Sequence, residues 1–433
     1  MRFALVVAPL VAALAPLSAA DFRAGIARVD ITPPIGHAMG GYSDRKGNAT
    51  GTHDPLFATV LVLESRSDAG VVESLALVTC DLRSFVSTRV GDLARQRFGV
   101  RTTIISVSHT HSGPLTWEAR TPWYAPAEDK MVEAIGQAHA AMFPATLEFA
   151  SGNVTLGFNR RKVVNGQATM WWRNQEKLPS HPVDPTVNAL IIKDAASKTR
   201  AVLVNYACHP SVLGPDNLQY SADYPGAMKR YVESQIPGAM CMFVQGGAGD
   251  INPYRDKEPV AGGFDAVNEM GQQLGKTVVA MQSRAHPITG ALRTASEIIE
   301  VKNRWKPSEK ISIGSTVGVI GGTAGANGGT ASTIGPVGSS FCFAAFPGEP
   351  FIDHQITFRE KAECGAAMLF GYSYSAGGVW AGYMPTILAA VEGGYGADYN
   401  TTVEVGTGEL LVDRAVVKLF QLRGLLKDLP EVR

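Results

Sequence analysis

The chain, at 433 residues, is long enough for one large α/β domain or two smaller ones, and its apolar content of 45% is that of a globular protein. Its 39 lysines and arginines balance 39 aspartates and glutamates, and no dense basic run occurs, so the charge does not support nucleic-acid binding. None of the five cysteines is in a Cys-x-x-Cys pair, which argues against a zinc site made of thiolates.

The first twenty residues have the pattern of a secretory signal peptide. Arg2 provides the positive start, residues 4–17 form an apolar run, and Ser18-Ala19-Ala20 is a small-residue cleavage site. We expect residues 21–433 to form a single domain that is secreted or periplasmic. An uncleaved membrane anchor is the less favoured alternative, because the apolar run is short and contains two prolines. No later segment is predicted to span a membrane.

Apolar, β-rich runs alternate with helical patterns along the rest of the chain. The predicted strands are 57–63, 75–79, 102–107, 201–207, 240–245, 341–346 and 367–371. The predicted helices are 86–98, 126–142, 225–234, 264–285, 350–362 and 409–427. A glycine-rich tract at 321–330 is predicted to be a loop. This alternation predicts an α/β fold in which helices are layered on a mixed β-sheet.

Two histidines come directly after the predicted strand 102–107. Residues two apart in a strand point to the same face, so His109 and His111 are expected side by side. Ligands bind at the carboxyl ends of strands in open α/β sheets, so this pair is a candidate metal or proton-transfer site. The alternative is a pair of histidines hydrogen-bonded in a polar loop, and the spacing alone does not decide between the two.

Polar residues also follow other predicted strands. In chain order these are Asp81, His209, Asp250 with Asn252, and Glu349. Because the ends of parallel strands meet at one edge of a sheet, residues that are far apart in the chain can share a site there.

A set of short segments, taken together, resembles the neutral/alkaline non-lysosomal ceramidase family. The matching segments are 24–33 (AGIARVDITP), 109–114 (HTHSGP), Asn159-Arg160, His209, 221–223 (SAD), 248–250 (AGD), 347–349 (PGE) and 382–386 (GYMPT). They occur in family order over nearly the whole mature chain, and the segment His-Thr-His-Ser-Gly-Pro is the most specific. The chain is similar to a short, bacterial-type member of this family.

The resemblance implies one zinc ion per chain. By motif, the zinc ligands are His109, His209, Glu349 and Tyr383, with His111 beside the metal as an acid–base or oxyanion group. Arg160 is implied to line the same site. Imidazole and carboxylate groups are ordinary zinc donors, which agrees with this assignment.

Three aspartates are candidates for orienting the ligating histidines from behind, namely Asp81, Asp223 and Asp250. Capping of turns or helices explains each of them equally well, so both interpretations stay open.

Three departures from the family pattern bear on the substrate. Asn252 stands where the family carries a serine that is held to be catalytic, and an amide cannot serve as an acylated nucleophile. Val391 stands where a second active-site tyrosine is expected, and Tyr395 is a candidate replacement. The family's ceramidases also carry an immunoglobulin-like domain after the catalytic one, for which we expect no room in this chain.

We therefore expect a secreted, zinc-dependent hydrolase in which a zinc-activated water cleaves the amide bond of an N-acyl, ceramide-like lipid. His111, Tyr383, Arg160 and Asn252 are the expected catalytic residues. One alternative is a zinc-dependent esterase or lactonase with a substrate that is not a sphingolipid. Another is a zinc-containing binding protein without catalysis.

The roles of two residue pairs are not decided by the sequence. Trp171 and Trp172 either line an apolar substrate groove or simply pack on the sheet, and packing is the favoured interpretation. Cys342 and Cys364 could form a disulfide in an oxidising compartment.

Overall fold

The computed structural model describes residues 21–66, 72–116, 121–322 and 339–426. The expected signal peptide and positions 323–330 of the predicted loop lie outside these residues. No helix in the described part of the chain is long and apolar enough to cross a membrane.

Strands and helices alternate along the described chain. The strands are β1 Asp21–Asp30, β2 Gly51–Thr52, β3 Phe57–Arg66, β4 Val72–Cys80, β5 Thr102–Val107, β6 Phe143–Asn153, β7 Gly157–Asn159, β8 Arg161–Val164, β9 Gln167–Met170, β10 Thr186–Asp194, β11 Thr199–Tyr206, β12 Gln219–Tyr220, β13 Met240–Gln245, β14 Ile251–Pro253, β15 His286–Ile288, β16 Leu292–Lys302, β17 Lys310–Ile320, β18 Phe341–Ala345, β19 Glu349–Pro350, β20 Ala366–Phe370, β21 Ser373–Tyr374 and β22 Tyr383–Met384. The helices are α1 Thr88–Phe98, α2 Tyr124–Ala140, α3 Asp223–Gln235, α4 Val260–Met281, α5 Ile352–Lys361, α6 Ile387–Glu392 and α7 Thr407–Leu422. Each predicted strand and helix has a counterpart here.

The larger sheet has ten strands in the order β13-β11-β10-β6-β1-β3-β4-β5-β21, with β15 attached to β6. The pairs β4/β5 and β11/β13 are parallel, whereas the strands between them pair antiparallel. The sheet is therefore mixed, as predicted. Its parallel pairs lie towards the two ends of the strand order.

A second sheet of four strands, β16-β17-β18-β20, packs against one face of the first. The core between them contains Leu61, Leu77 and Phe149 from the larger sheet and Phe341 and Phe343 from the smaller. Helices α1 to α4 cover the other face of the larger sheet, and α5 and α7 cover the smaller one. The domain thus has four layers, helix–sheet–sheet–helix.

The sequence did not predict this second sheet as a layer of its own. Strand β16 alternates between part-buried and exposed positions, so it contains no continuous apolar run. Its partner β17 begins in exposed residues and contains two glycines, which weaken a strand pattern. Burial between two layers is what makes both segments strands.

The loops after β5, β11 and β13 meet because the ends of the larger sheet approach each other. Strands β5 and β13, which lie near opposite ends of the strand order, are in contact. Gln245, the last residue of β13, donates hydrogen bonds from Nε2 to the carbonyl oxygens of Ser108 (3.1 Å) and Cys208 (2.8 Å). One buried amide therefore joins the loops that carry the histidines.

Cys342 in β18 forms a disulfide with Cys364, which follows α5. This is the pairing that the sequence left open. Cys80, Cys208 and Cys241 are free and buried.

Candidate active site

The two histidines of the opening motif lie in a turn after β5 rather than in the strand. His109 has a φ of 69°, which is left-handed, so the expectation that His109 and His111 share a strand face is wrong. The turn is held by backbone hydrogen bonds from His109 N to Leu82 O (2.9 Å) and from His111 N to Pro210 O (3.1 Å). The turn nevertheless brings the two imidazole rings to a centroid distance of 5.2 Å.

Backbone carbonyls orient two of the histidine rings. His109 Nδ1 lies 2.7 Å from Arg83 O, and His209 Nδ1 lies 3.1 Å from Ile251 O. A carbonyl can only accept a hydrogen bond, so in each ring Nδ1 carries the proton. With the proton on Nδ1, Nε2 is left to act as a ligand atom, and hydrogen bonds of this kind orient histidine towards a metal.

Glu349 faces both of these nitrogens. Its Oε2 atom lies 3.3 Å from His109 Nε2 and 3.4 Å from His209 Nε2, and all three side chains are buried. Burial lowers the pKa of His209 to about 4, so its ring is neutral at pH 7. Burial alone would raise the pKa of Glu349, but the adjacent histidines hold it well below its usual value. We call His109, His209 and Glu349 the donor cluster.

The donor cluster fits a cation. His109 Nε2, His209 Nε2 and Glu349 Oε2 have no hydrogen-bond partner among the described residues. Buried nitrogen and oxygen atoms that converge without hydrogen-bond partners are unfavourable unless a positive charge lies among them. His111 is close by, because one ligand atom from each of the three histidines lies within 4.8 Å of the others. This set of nitrogen and carboxylate donors is one that zinc prefers.

Tyr383 stands beside Glu349 because β19 and β22 pair in parallel with these two residues in register. Its hydroxyl accepts a hydrogen bond from Arg160 Nη2 at 3.2 Å. The same guanidinium donates to Gly249 O (2.5 Å) and to Asn252 Oδ1 (3.1 Å). Burial raises the pKa of Tyr383 well above its usual value, so the residue is a neutral phenol when no cation is near.

A cleft of about 870 Å³ opens in front of these residues. Its wall combines polar groups with aromatic rings. Among its lining residues are Tyr42, His111, Arg160, Trp172, His209, Asn252, Asp256, Lys257, Glu349, Trp380, Tyr383 and Tyr395. Such a concave site with a few convergent polar groups is typical of a small-molecule pocket.

Residues 22–268, more than half of the chain, match the family described as neutral/alkaline non-lysosomal ceramidase, N-terminal. The chain belongs to this family.

Two curated relatives of the family have the name neutral ceramidase. The protein from Mycobacterium tuberculosis (strain ATCC 25618 / H37Rv) is 25% identical over 247 residues, which are 50% of this chain and 38% of the relative. The protein from Drosophila pseudoobscura pseudoobscura is 24% identical over 264 residues, which are 55% of this chain and 37% of the relative. The matched region thus spans less than two fifths of either relative.

Two solved ceramidase structures have the same fold. One, described as ceramidase complexed with C2, superposes with a TM-score of 0.70 at 17% identity and covers 94% of this chain and 76% of its own. Neutral ceramidase from Pseudomonas aeruginosa gives a TM-score of 0.69 at 16% identity, with 95% and 76% covered. The prediction of a ceramidase-family α/β domain is confirmed at the level of family and fold.

Asn252, which the resemblance led us to expect in place of a serine, is part of a hydrogen-bond chain. Its Oδ1 accepts from Arg160, and its Nδ2 donates to Asp256 Oδ2 at 3.0 Å. Asp256 in turn accepts from Ser211 Oγ at 2.5 Å. Both ends of the Asn252 amide are therefore engaged, and the residue fixes Arg160 beneath Tyr383.

The sequence left the role of the three aspartates open, and the structure favours capping, because backbone carbonyls rather than these carboxylates lie against Nδ1 of His109 and His209. Asp81 forms an ion pair with Lys229 Nζ at 2.6 Å. Asp223 accepts from the backbone nitrogens of Leu213 and Tyr224, and Asp250 accepts from Asn159 Nδ2 and Ile352 N. They connect and cap structural elements, which was the alternative interpretation.

The structure distinguishes between the two neighbouring tryptophans. Trp172 lines the cleft, and its ring centroid lies 5.3 Å from that of Tyr395. Trp171 packs against Phe158, at a centroid distance of 5.6 Å. Tyr395 also lies with its ring centroid 5.3 Å from that of Tyr383, so it brings an aromatic ring to the site, as expected of a candidate replacement for the tyrosine.

Sequence reasoning missed Tyr42, Lys257 and Trp380, which also line the cleft. They lie in separate loops, and no spacing in the chain connects them. The ring of Tyr42 packs against that of His111, with a centroid distance of 4.9 Å, and this contact links Tyr42 to the histidine motif.

Proposed function

We propose that the protein is a zinc-dependent hydrolase that cleaves the amide bond of N-acyl, ceramide-like lipids. The observation that carries the proposal is the convergence of three buried, unpaired acceptor atoms of the donor cluster at a cleft large enough for an organic ligand. The family to which the chain belongs adds the reaction class.

His109, His209 and Glu349 would hold the zinc ion, and the neutral phenol of Tyr383 would be a weak fourth ligand, so that the three-residue set would hold most of the metal without it. Zinc in such a site supplies Lewis acidity towards a carbonyl oxygen and towards water. The carbonyls of Arg83 and Ile251 keep the two histidine rings in the required tautomer.

Tyr383 and Arg160 would stabilise the charge that develops on the carbonyl oxygen. The Tyr383 oxygen already accepts a hydrogen bond from Arg160, so its own proton is available to the substrate. A donor aimed at the developing oxyanion in a buried site contributes about 10²–10³ in rate. The Asn252–Asp256–Ser211 chain keeps Arg160 in position for this role.

His111 would move the proton. Both of its ring nitrogens lack a hydrogen-bond partner among the described residues, and burial holds its pKa well below the usual value, so it starts as a neutral base. One ring nitrogen takes a proton from the attacking water as the new C–O bond forms. The same nitrogen returns the proton to the amide nitrogen as the C–N bond breaks, releasing a carboxylic acid and an amine.

Two aromatic rings of the cleft would accommodate the acyl chain, because Tyr395 and Trp380 offer apolar surface beside the donor cluster. We further propose that the protein works outside the cytoplasm. The signal-peptide pattern of the first twenty residues and the Cys342–Cys364 disulfide support an oxidising compartment.

A substrate panel on the zinc-loaded protein tests this function. We expect turnover of N-acyl amides, with ¹⁸O from labelled water in the released acid after one turnover and no acylated peptide on quenching. Turnover of esters alone would replace the amidase by the esterase alternative. Zinc binding without turnover of either class would favour the non-catalytic protein.

The same quench tests the nucleophile. Ser112 directly follows His111, but it is buried and its Oγ accepts a hydrogen bond from Asn217 Nδ2 at 3.0 Å. An acyl group trapped on Ser112 would contradict attack by water.

A further inference from the structure

A lysine ammonium lies inside the cleft between two aromatic rings. Lys257 Nζ is 4.6 Å from the ring centroid of Trp172 and 5.9 Å from that of Tyr42. The ring of Tyr42 in turn packs edge-on against His111. The positive charge of Lys257 is therefore separated from the proton-transfer histidine by a single aromatic ring. We call Tyr42, Trp172 and Lys257 the cleft wall.

The backbone holds Lys257 firmly in this position. Its N–H donates to Ser211 O at 2.9 Å, and its carbonyl accepts from Arg173 Nη2 at 3.2 Å. Its φ of 53° is left-handed, a conformation that a side-chain-bearing residue keeps only where its surroundings enforce it. Ser211 lies two residues after His209, so the loop that supplies a member of the donor cluster also fixes this lysine.

The charge of Lys257 is available to a ligand. Asp256 Oδ2 lies 4.0 Å from Nζ, which is too far for a hydrogen bond, and that carboxylate already accepts from Ser211 and Asn252. The Lys257 side chain keeps 32% of its surface exposed, and it lines the cleft. An ammonium with free donors in a partly dehydrated pocket favours an anion more strongly than one in water.

We propose that Lys257 binds a single negative charge on the amine portion of the substrate, so that the cleft selects N-acyl compounds that carry a carboxylate there, such as N-acyl amino acids. This inference rests on the proposed amide hydrolysis. The amine side is chosen because His111, which returns the proton to the leaving nitrogen, lies on the same side of the cleft as Tyr42 and Lys257.

The surrounding charges favour a carboxylate over a phosphate. Asp256 and Asp44 also line the cleft and would repel a doubly charged group more strongly than a singly charged one. Of the two arginines in the lining, Arg83 and Arg160, Arg160 already donates to Asn252, Gly249 and Tyr383. Lys257 offers one compact positive charge, whereas phosphate sites usually combine several donors or an arginine fork. A monoanion is therefore the better match.

Two ligands with the same acyl chain test the proposal, namely N-lauroylglycine, which carries a carboxylate, and N-lauroylethanolamine, which is neutral. Binding of each to the zinc-loaded protein is measured by calorimetry at low and high salt. We expect the wild type to bind the carboxylate about 10- to 100-fold more tightly, as for a charge-assisted hydrogen bond, with the preference falling at high salt.

The variants identify the source of this preference. Lys257→Met should abolish it, and Lys257→Arg should retain most of it. Lys162→Met is the matched control, because Lys162 also lies over a tryptophan, 5.8 Å from the Trp171 centroid, but outside the lining of the cleft. It should leave the preference unchanged.

Equal binding of the two ligands by the wild type would overturn the proposal, as would a preference that survives in Lys257→Met. Tighter binding of a phosphorylated N-lauroylethanolamine than of N-lauroylglycine would overturn the single-charge assignment. Release of lauric acid is followed separately. Absence of hydrolysis would contradict the proposed function, whereas the binding ratio would still test Lys257.

Discussion

The donor cluster and the cleft wall face the same cleft but are built differently. His109, His209 and Glu349 are almost completely buried. In the cleft wall, Lys257 is about one third exposed, and Tyr42 and Trp172 are half-buried in loops. In the proposed function, turns that directly follow buried strands hold the reacting groups, whereas more exposed loops hold the groups that recognise a substrate. Changes in the donor cluster should reduce turnover of every substrate, and changes in the cleft wall should alter the choice among substrates.

The largest effect is expected from removing two members of the donor cluster. The wild type should contain about one zinc per chain, and the double variant His109→Ala, His209→Ala should contain none and lose more than about 10³-fold in turnover of all amides. Elemental analysis and a substrate panel measure both quantities. Zinc that persists at one per chain in the double variant would place the metal elsewhere.

The next largest effect is expected at Tyr383, where loss of turnover should be separable from loss of zinc. Tyr383→Phe should keep most of the zinc and lose about 10²–10³ in turnover, because one oxyanion donor is removed. Tyr372→Phe is the control, since the ring of Tyr372 packs on His109 at 4.5 Å but its buried hydroxyl has no partner among the described residues. The control should change turnover by less than a few-fold and raise the free energy of unfolding by about 1 kcal/mol. Equal activity of the two variants would mean that Tyr383 only packs.

A smaller effect on turnover is expected from changes at Asn252. Asn252→Ala breaks one link to Arg160, but Arg160 keeps its bonds to Gly249 and Tyr383, so turnover should fall only about 10-fold. Asn252→Ser should change substrate preference more than it raises the rate. Complete inactivity of Asn252→Ala, in a protein that still binds zinc, would give this amide a direct part in the reaction.

The smallest effect is expected from two neighbouring tryptophans, of which Trp172 lines the cleft and Trp171 packs against Phe158. Trp172→Ala removes a ring of the cleft wall and should raise KM roughly 5-fold with little change in kcat. Trp171→Ala removes a neighbouring ring that packs on Phe158 and should instead lower stability by about 1–2 kcal/mol. Steady-state kinetics and urea unfolding of the two variants measure this difference. Reversed effects would contradict the assignment of the two rings.

The buried parallel strands were the most predictable part of the fold. Strands β5 and β13 have the predicted bounds because a short apolar run followed by turn residues permits little else. The half-exposed strand β16 was missed, since its pattern makes sense only against the second sheet.

The candidate site likewise has one part that the sequence predicted and another that it did not. Family motifs identified His109, His209 and Glu349, which the structure brings together. The sequence could not provide the left-handed turn at His109 or the carbonyls that orient the rings, because both depend on the backbone rather than on residue type. Lys257 and Tyr42 meet only through tertiary packing, and neither carries a signal in the chain.

The position of the donor cluster also has a consequence for the order of folding. His109 and His209 follow strands of the ten-stranded sheet, whereas Glu349 follows a strand of the four-stranded sheet. A nascent chain therefore has an incomplete set of ligands until most of its length has been synthesised and the two sheets have docked. Such long-range contacts form late and slowly. A metal ion held by both sheets would act as a cross-link between them, so that metal release and separation of the layers would become one coupled equilibrium.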